Sequence, residues 1–67
     1  MRISYNKLWH LMKINKMTKK ELASATELSK YAMAKLNNNK PVSLMVVMRL
    51  CKVFHCDIGD MMELIEA

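Results

Sequence analysis

The chain has 67 residues, of which 52% are apolar and 25% charged, and it contains a single Gly and a single Pro. This composition excludes a disordered segment or a linker, and at this length it predicts one domain over residues 1–67. The net charge is +5, and the longest apolar run, residues 44–48, is far too short for a membrane span of about 20 residues.

The first third of the chain carries the start signals of two helices. Ser4 is a candidate N-cap for a first helix that we expect to end near Lys16, since apolar residues recur there at helical spacing. The sequence TKKE, from Thr18 to Glu21, fits a capping box, in which the two end residues exchange hydrogen bonds. We therefore expect a second helix to begin at this point and to continue through Ala25.

Three further helices are predicted in the rest of the chain. Ser29 caps a third helix over residues 29–36, and after the break at Pro41, Ser43 caps a fourth helix to about residue 55. Asp57 is the expected cap of a short fifth helix. The apolar face of this fifth helix is formed by Ile58, Met61, Met62 and Ile65. Because no stretch alternates apolar and polar residues as a half-buried strand does, the expected fold is all-α, a compact five-helix bundle.

Residues 18–36 combine two short helices with a connection of about four residues, 26–29. Neither helix would be stable alone at this length, so the two must pack closely, and Ala23 offers the small side chain that allows it. A step of about 100° per residue directs one stripe of the third helix inward. That inward stripe is Ala32, Met33 and Leu36, and the outward face is Lys30, Tyr31, Ala34 and Lys35. This is the design of a helix-turn-helix, whose second helix enters the DNA major groove.

The sequence TKKELASATELSKYAMAKLNNNK, residues 18–40, resembles the helix-turn-helix of the phage Cro/repressor family of DNA-binding domains. Three matches carry the resemblance: the Leu-Ala pair at 22–23, the Leu-Ser step at 28–29 and the Lys-Leu-Asn run at 35–37. The resemblance extends over nearly the whole chain, because that family is a five-helix bundle of the lambda-repressor type with the motif as helices two and three. The sequence DIGDMME at 57–63 is also similar to the last helix of small stand-alone bacterial members.

The resemblance implies a bacterial or mobile-element transcriptional regulator that binds double-stranded DNA and acts as a repressor by blocking polymerase. By resemblance, the residues that contact base edges are Lys30, Tyr31 and Lys35. The residues that contact phosphates are Thr18, Lys19, Ser29, Asn38, Asn39 and Lys40. Such regulators usually pair on half-sites, so a homodimer is expected. Its candidate interface consists of apolar residues in excess on helices four and five, Val46, Val53, Leu64 and Ile65.

Charge is distributed unevenly along the chain. Residues 1–40 hold nine Lys or Arg and two Glu, a net +7, whereas residues 41–67 hold two basic and four acidic residues, a net −2. The positive charge of residues 1–40 suggests a polyanionic partner. The rival function is a small helical module, such as an adaptor or antitoxin, that binds a protein through an apolar surface on helices four and five. A role of the basic first helix at a membrane surface is a more distant alternative.

One departure from the family pattern lies in the turn of the motif. The family usually has Gly there, where this chain has Glu27. If Glu27 occupies that position, we expect its φ angle to be positive, a conformation that is strained for a residue with a side chain.

Cys51, His55 and Cys56 lie close together in the sequence, but they do not predict a zinc site. A structural zinc ion takes four ligands, and the other candidate, His10, is remote. We therefore expect no metal, cofactor or small-molecule ligand. A Cys51–Cys56 disulfide is not expected either, because helical geometry would hold their Cα atoms too far apart, and because a chain without a signal-peptide core stays in the reducing cytoplasm. An enzyme is not expected, since the sequence holds no nucleophile–base set and no Gly-rich phosphate loop.

Overall fold

Four helices and a small two-stranded sheet make up the computed structural model, which describes residues 1–66. The order along the chain is β1 (Arg2–Ser4), α1 (Asn6–Ile14), α2 (Lys19–Thr26), α3 (Lys30–Asn37), α4 (Leu44–Phe54), a 3-10 turn (Ile58–Asp60) and β2 (Glu63–Ile65). No helix in this part of the chain is long and apolar enough to span a membrane.

Three of the helices begin at the predicted caps. Thr18 Oγ1 accepts a hydrogen bond from the Glu21 backbone N–H at 3.1 Å, and Glu21 Oε1 accepts one from the Thr18 N–H at 3.0 Å. These two bonds complete the predicted capping box of α2. Ser29 Oγ and Ser43 Oγ each accept from the backbone N–H three residues later, at 3.1 and 3.3 Å. Each cap satisfies an N–H group that a helix start leaves without an intrahelical partner.

The first helix has slightly different bounds from those predicted, because its expected cap lies in a strand. Ser4 belongs to β1 and is buried, and its Oγ accepts a hydrogen bond from the Asn6 backbone N–H at 3.3 Å. Tyr5 holds the N-cap position without a side-chain cap bond. The helix ends at Ile14, and Lys16, the expected end, has already left it with a φ angle of 53°.

The predicted fifth helix is wrong, and so is the expectation that the chain has no strands. Residues 58–60 form a single 3-10 turn, after which β2 pairs with β1 in antiparallel orientation. Ile3 lies opposite Leu64 at the centre of this two-stranded sheet. The fold is therefore helical with a small sheet that joins the two ends of the described chain.

The physical reason for this difference is the shortness of the elements involved. Asp57 does cap the turn, since its Oδ1 accepts a hydrogen bond from the Ile58 backbone N–H at 2.8 Å. One capped turn is too short to propagate as a stable helix, whereas pairing with β1 satisfies the backbone groups of the following residues. Strands of three residues are also too short to show the alternation from which a strand is predicted.

The core draws side chains from all four helices. Tyr5 is fully buried, and its OH donates to the backbone O of Lys40 at 2.7 Å, which ties the start of α1 to the segment after α3. Met61, just after the 3-10 turn, is also fully buried, and α4 packs against both α2 and this turn. The buried apolar residues are Tyr5, Leu8, Met12, Leu22, Leu36, Val47, Leu50 and Met61.

The connection between α2 and α3 is left-handed at Glu27, with φ 55° and ψ 35°. The predicted positive φ angle is thus confirmed. The Leu28 N–H donates to the backbone O of Ala23 at 3.1 Å, and the buried Thr26 hydroxyl donates to the backbone O of Leu22 at 2.6 Å. These bonds satisfy carbonyl groups at the end of α2 and fix the point from which α3 departs.

Candidate nucleic-acid interface

α3 presents a basic and aromatic side to solvent because its other side lies in the core. Leu36 is fully buried, and Met33 packs against the core cluster. Lys30 and Tyr31 are exposed, and Tyr31 retains 73% of its accessible surface. A large aromatic side chain left in solvent on a helix of the motif is available to a partner.

Lys35 and Tyr31 form a pair on this exposed side of α3. The Lys35 Nζ lies 4.6 Å from the centre of the Tyr31 ring, a distance typical of a cation–π contact. The two residues are four positions apart, so they are neighbours on the helix surface. The structure therefore brings two of the three expected base-contacting residues together, and Lys30 lies exposed one turn away at the start of the helix.

Lys19, at the start of α2, is held by two residues that sequence reasoning did not assign to the site. Its Nζ donates to Asn37 Oδ1 at 2.6 Å and lies 4.4 Å from the centre of the Trp9 ring. This contact joins α1, α2 and α3 at one point of the surface. The sequence shows Trp9 only as an aromatic residue at the edge of an apolar stripe, and nothing in it indicates that these three residues meet.

The polar segment after α3 has structural contacts of its own. Asn38 Nδ2 donates to the backbone O of Ala34 at 2.8 Å, and Asn39 Oδ1 accepts from the Tyr5 backbone N–H at 3.3 Å. Asn39 has a φ angle of 54°, a left-handed conformation that Asn tolerates better than most residues. Lys40 keeps an exposed side chain, while its backbone N–H donates to the backbone O of Lys35 at 2.8 Å. These hydrogen bonds fix the side-chain amides of Asn38 and Asn39 in place. The Asn39 amide nitrogen and the Lys40 ammonium group remain available to an outside partner.

A lysine stands at the start of each helix of the motif, Lys19 in α2 and Lys30 in α3. Ser29 uses a lone pair of its hydroxyl oxygen for capping, so its O–H group can still donate to a phosphate oxygen, whereas the Thr18 hydroxyl also bonds to the Glu21 carboxylate. The first N–H groups of a helix lack intrahelical acceptors and favour an anion. The pKa of the Glu21 carboxyl is lowered mainly by the hydrogen bond from the Thr18 backbone N–H and, to a smaller extent, by the one from the Thr18 hydroxyl. The carboxylate therefore stays ionised, and the capping box stays formed.

The four candidate interface residues lie at three places on the surface of the molecule. Val46 and Val53 are half-buried on α4, the first beside α3 and the second beside the end of α2. Leu64 is 63% exposed on β2, beside β1, and Ile65 lies half-buried opposite Arg2. The large apolar side chains that α4 leaves exposed are Leu44, Met45 and Met48.

Comparisons with known proteins agree with this geometry. No match was found among curated proteins. A crystal structure of the transcriptional regulator VanUg, form II, is similar, with 44% sequence identity, a TM-score of 0.95, and coverage of 98% of this chain and 88% of that one. A family model described as the Cro/C1-type HTH DNA-binding domain matches residues 7–67. The chain therefore belongs to the Cro/C1-type helix-turn-helix DNA-binding family.

Proposed function

We propose that this chain is a sequence-specific transcriptional repressor that binds operator DNA with α3 in the major groove and excludes polymerase. The observation that carries the proposal is the solvent side of α3, the second helix of the motif, which holds the Lys35–Tyr31 pair and the exposed Lys30. The similarity to VanUg, a transcriptional regulator, supports the regulatory role. The chain would act in the cytoplasm as a single DNA-binding domain.

Base reading is assigned to the three side chains on the exposed side of α3. Lysine donates hydrogen bonds to guanine O6 and N7, so Lys30 and Lys35 would favour guanine at the positions they reach. The Tyr31 ring can contact a thymine methyl group, and its hydroxyl can donate to a phosphate. Since Lys35 stacks on Tyr31, the two would enter the groove together and read adjacent base pairs.

Phosphate binding is assigned to the residues that surround α3. Lys19 and Lys40 supply the two ammonium groups, one at the start of α2 and one beyond the end of α3. Such contacts fix the register of the protein on the duplex and carry no sequence information. The remaining donors are the hydroxyls and amides of Thr18, Ser29, Asn38 and Asn39.

We propose further that the chain binds as a homodimer. A helix of eight residues reads only a few base pairs, and a two-fold pair of helices doubles the site. Apolar residues left in solvent on α4 and β2 are available for such an interface, and a protein partner would need the same kind of surface. Among the candidates, Leu64 has the most exposed side chain, whereas Val46 packs against the core of the monomer and Val53 is half-buried.

The test of this function is selection of bound sequences from random duplex DNA, followed by affinity measurements at two salt concentrations. We expect enrichment of a motif with two-fold symmetry, and an affinity for it that falls steeply as salt rises, because each neutralised phosphate releases counterions. The double variant Lys30→Ala, Lys35→Ala serves as the matched control and should enrich no motif. Failure of the unaltered protein to bind duplex DNA at low salt would reject the proposal.

A further inference from the structure

The end of α4 brings two cysteines together. The helix ends at Phe54, His55 is left-handed with a φ angle of 51°, and the Cys56 N–H donates to the backbone O of Cys51 at 3.1 Å. The His55 N–H donates to the backbone O of Lys52 at 3.4 Å, which completes a Schellman motif. Side chains at the two ends of this motif are frequently in contact, and Cys51 and Cys56 occupy those two positions. The helix ends before Cys56, and both cysteines are free thiols.

A third sulfur atom completes the cluster. Met61, which is fully buried after the 3-10 turn, places its Sδ 3.9 Å from the Sγ of Cys51. Cys56 lines the same surface depression as Cys51. The Cys51 thiol thus contacts the Met61 thioether and shares a depression with the Cys56 thiol.

The two cysteines of the cluster are accessible from solvent. Cys51 and Cys56 are half-buried, and both line an open depression on the surface together with Met48 and Ile58. Every residue that lines this depression belongs to α4 or to the segment after it. An ion can thus reach the two cysteine sulfur atoms without crossing the face of α3, and Met61 lies behind Cys51 in the core.

The set of donors determines which ligand is suitable. In the described part of the chain, no three His, Cys, Asp or Glu side chains are close enough to hold a metal, which removes the usual zinc donor sets. Thiolate and thioether are soft donors, which select Cu(I) over hard cations. We propose that Cys51, Cys56 and Met61 form a binding site for a soft monovalent metal ion of the Cu(I) class.

The spacing of the sulfur atoms agrees with such an ion. With metal–sulfur bonds of about 2.3 Å, three sulfurs in a plane around one ion lie about 4 Å apart. The Cys51 and Met61 sulfurs already have this separation, at 3.9 Å. A disulfide needs sulfur atoms about 2.0 Å apart, and both cysteines are free thiols in the structure.

Binding must exchange protons for the metal. Each thiol releases one proton, so two protons leave as one ion enters, and the occupied site carries one negative charge. Metal affinity should rise with pH for this reason. The charged and titratable groups around the site are Lys52 and His55 from the end of α4, and Asp57 and Asp60 from the turn.

The site is tested by titrating the full chain with Cu(I) under anaerobic conditions against a coloured Cu(I) chelator. We expect one ion per chain and an affinity that increases with pH. Cys51→Ser and Cys56→Ser should each weaken binding by more than about 100-fold, since residues that merely orient a ligand already change metal affinity by about 10–100-fold. Met61→Leu, which keeps the core volume, should weaken binding by about 10-fold, at the low end of that range.

Met62→Leu is the matched control, because Met62 adjoins Met61 and packs beside the core without being part of the cluster. It should leave the affinity unchanged, and circular dichroism should show that all four variants are folded. The proposal is overturned if the unaltered chain does not compete with the chelator, or if the two methionine variants behave alike. It is also overturned if both thiols stay reactive toward a thiol reagent after the ion has been added.

Discussion

The Lys35 ammonium group lies 4.6 Å from the centre of the Tyr31 ring, one helical turn back along α3. This contact restricts a long side chain that would otherwise sample many rotamers, and so lowers the entropy lost when the lysine binds a base. Tyr31 remains 73% exposed, so the stacked pair can reach a groove as a unit. Lys40, which lies beyond the end of the helix, has an exposed side chain and is expected to act on the DNA backbone.

Alanine variants of the lysines should separate base reading from phosphate binding. Lys35→Ala and Lys30→Ala should each weaken operator binding by about 1–3 kcal/mol and relax the preference at particular base pairs. Lys40→Ala should weaken binding to all sequences alike and lower the salt slope by about one. Affinities for a set of operators with single base-pair changes measure both effects. The same profile for Lys35→Ala and Lys40→Ala would contradict these role assignments.

The contact of Lys19 with Trp9 and Asn37 should appear as energetic coupling in DNA binding. If these residues hold Lys19 toward a phosphate, Trp9→Leu should weaken DNA binding, but only while Lys19 is present. A double-mutant cycle with Lys19→Met should give a coupling of about 0.5–1 kcal/mol, the size of an exposed cation–π contact. Asn37→Ala should show the same sign. Additive effects in the cycle would mean that Trp9 serves only the fold.

Tyr5 should make the stability of the fold sensitive to alkaline pH. Burial raises the pKa of its phenol, and the backbone hydrogen bond with Val42 offsets this only in part. Because the folded pKa lies above the unfolded value of about 10, the neutral phenol stabilises the fold fully below that pH. This contribution is lost as pH rises through the folded pKa.

Tyr5→Phe tests this dependence directly. It removes the 2.7 Å hydrogen bond to the backbone O of Lys40 and should cost about 0.5–1.5 kcal/mol at pH 7. The difference in unfolding free energy between the two proteins, measured in urea, should shrink above pH 10. A difference that stays constant with pH would show that the phenol does not titrate in this range.

Two leucines of equal exposure allow a matched test of the dimer. Leu64 on β2 is 63% exposed and Leu44 on α4 is 64% exposed, so Gln at either position should change monomer stability by less than about 0.5 kcal/mol. We expect Leu64→Gln to weaken the dimer in analytical ultracentrifugation, while Leu44→Gln leaves it intact. The opposite result would move the interface to the exposed side of α4. A monomer at high concentration and on a full operator would reject dimerisation.

The helices of the motif could be predicted because their signals are local. Thr18, Glu21 and Ser29 form the caps that the sequence indicated, and the helical period placed Leu36 inside and Tyr31 outside. The left-handed Glu27 was also predictable, since it stands where the family usually has Gly. Each of these features depends on residues within one or two helical turns.

What could not be predicted depends on residues far apart in the sequence. Ile3 and Leu64 pair although they lie near opposite ends of the described chain, and neither three-residue strand would be stable without the other. Segments this short also carry no periodic signal from which a strand could be predicted. The meeting of Lys19 with Trp9 and Asn37 follows from the packing of three helices, which no local pattern encodes. The use of Asn39 as a hydrogen-bond acceptor for Tyr5 is equally a consequence of tertiary structure.

Glu27 gives the last prediction, because its left-handed conformation is a source of strain in the turn of the motif. At φ 55° and ψ 35°, a non-Gly residue is disfavoured by about 1–2 kcal/mol. Glu27→Gly removes this strain, but Gly also increases the entropy lost on folding by up to about 1 kcal/mol. The strain is the larger effect, so we expect a net gain of a few tenths to about 1 kcal/mol.

Urea unfolding of the two proteins measures this gain, and Ser24→Gly provides the matched control. Ser24 is exposed within α2, where Gly relieves no strain and should destabilise the protein by roughly 0.5 kcal/mol. Opposite signs for the two glycine variants would identify backbone strain at Glu27 as the cause. DNA affinity should change little, because the Glu27 backbone keeps the same turn and the direction of α3. A loss of stability beyond about 0.5 kcal/mol in Glu27→Gly would show that the Glu27 side chain makes a compensating contact in solution.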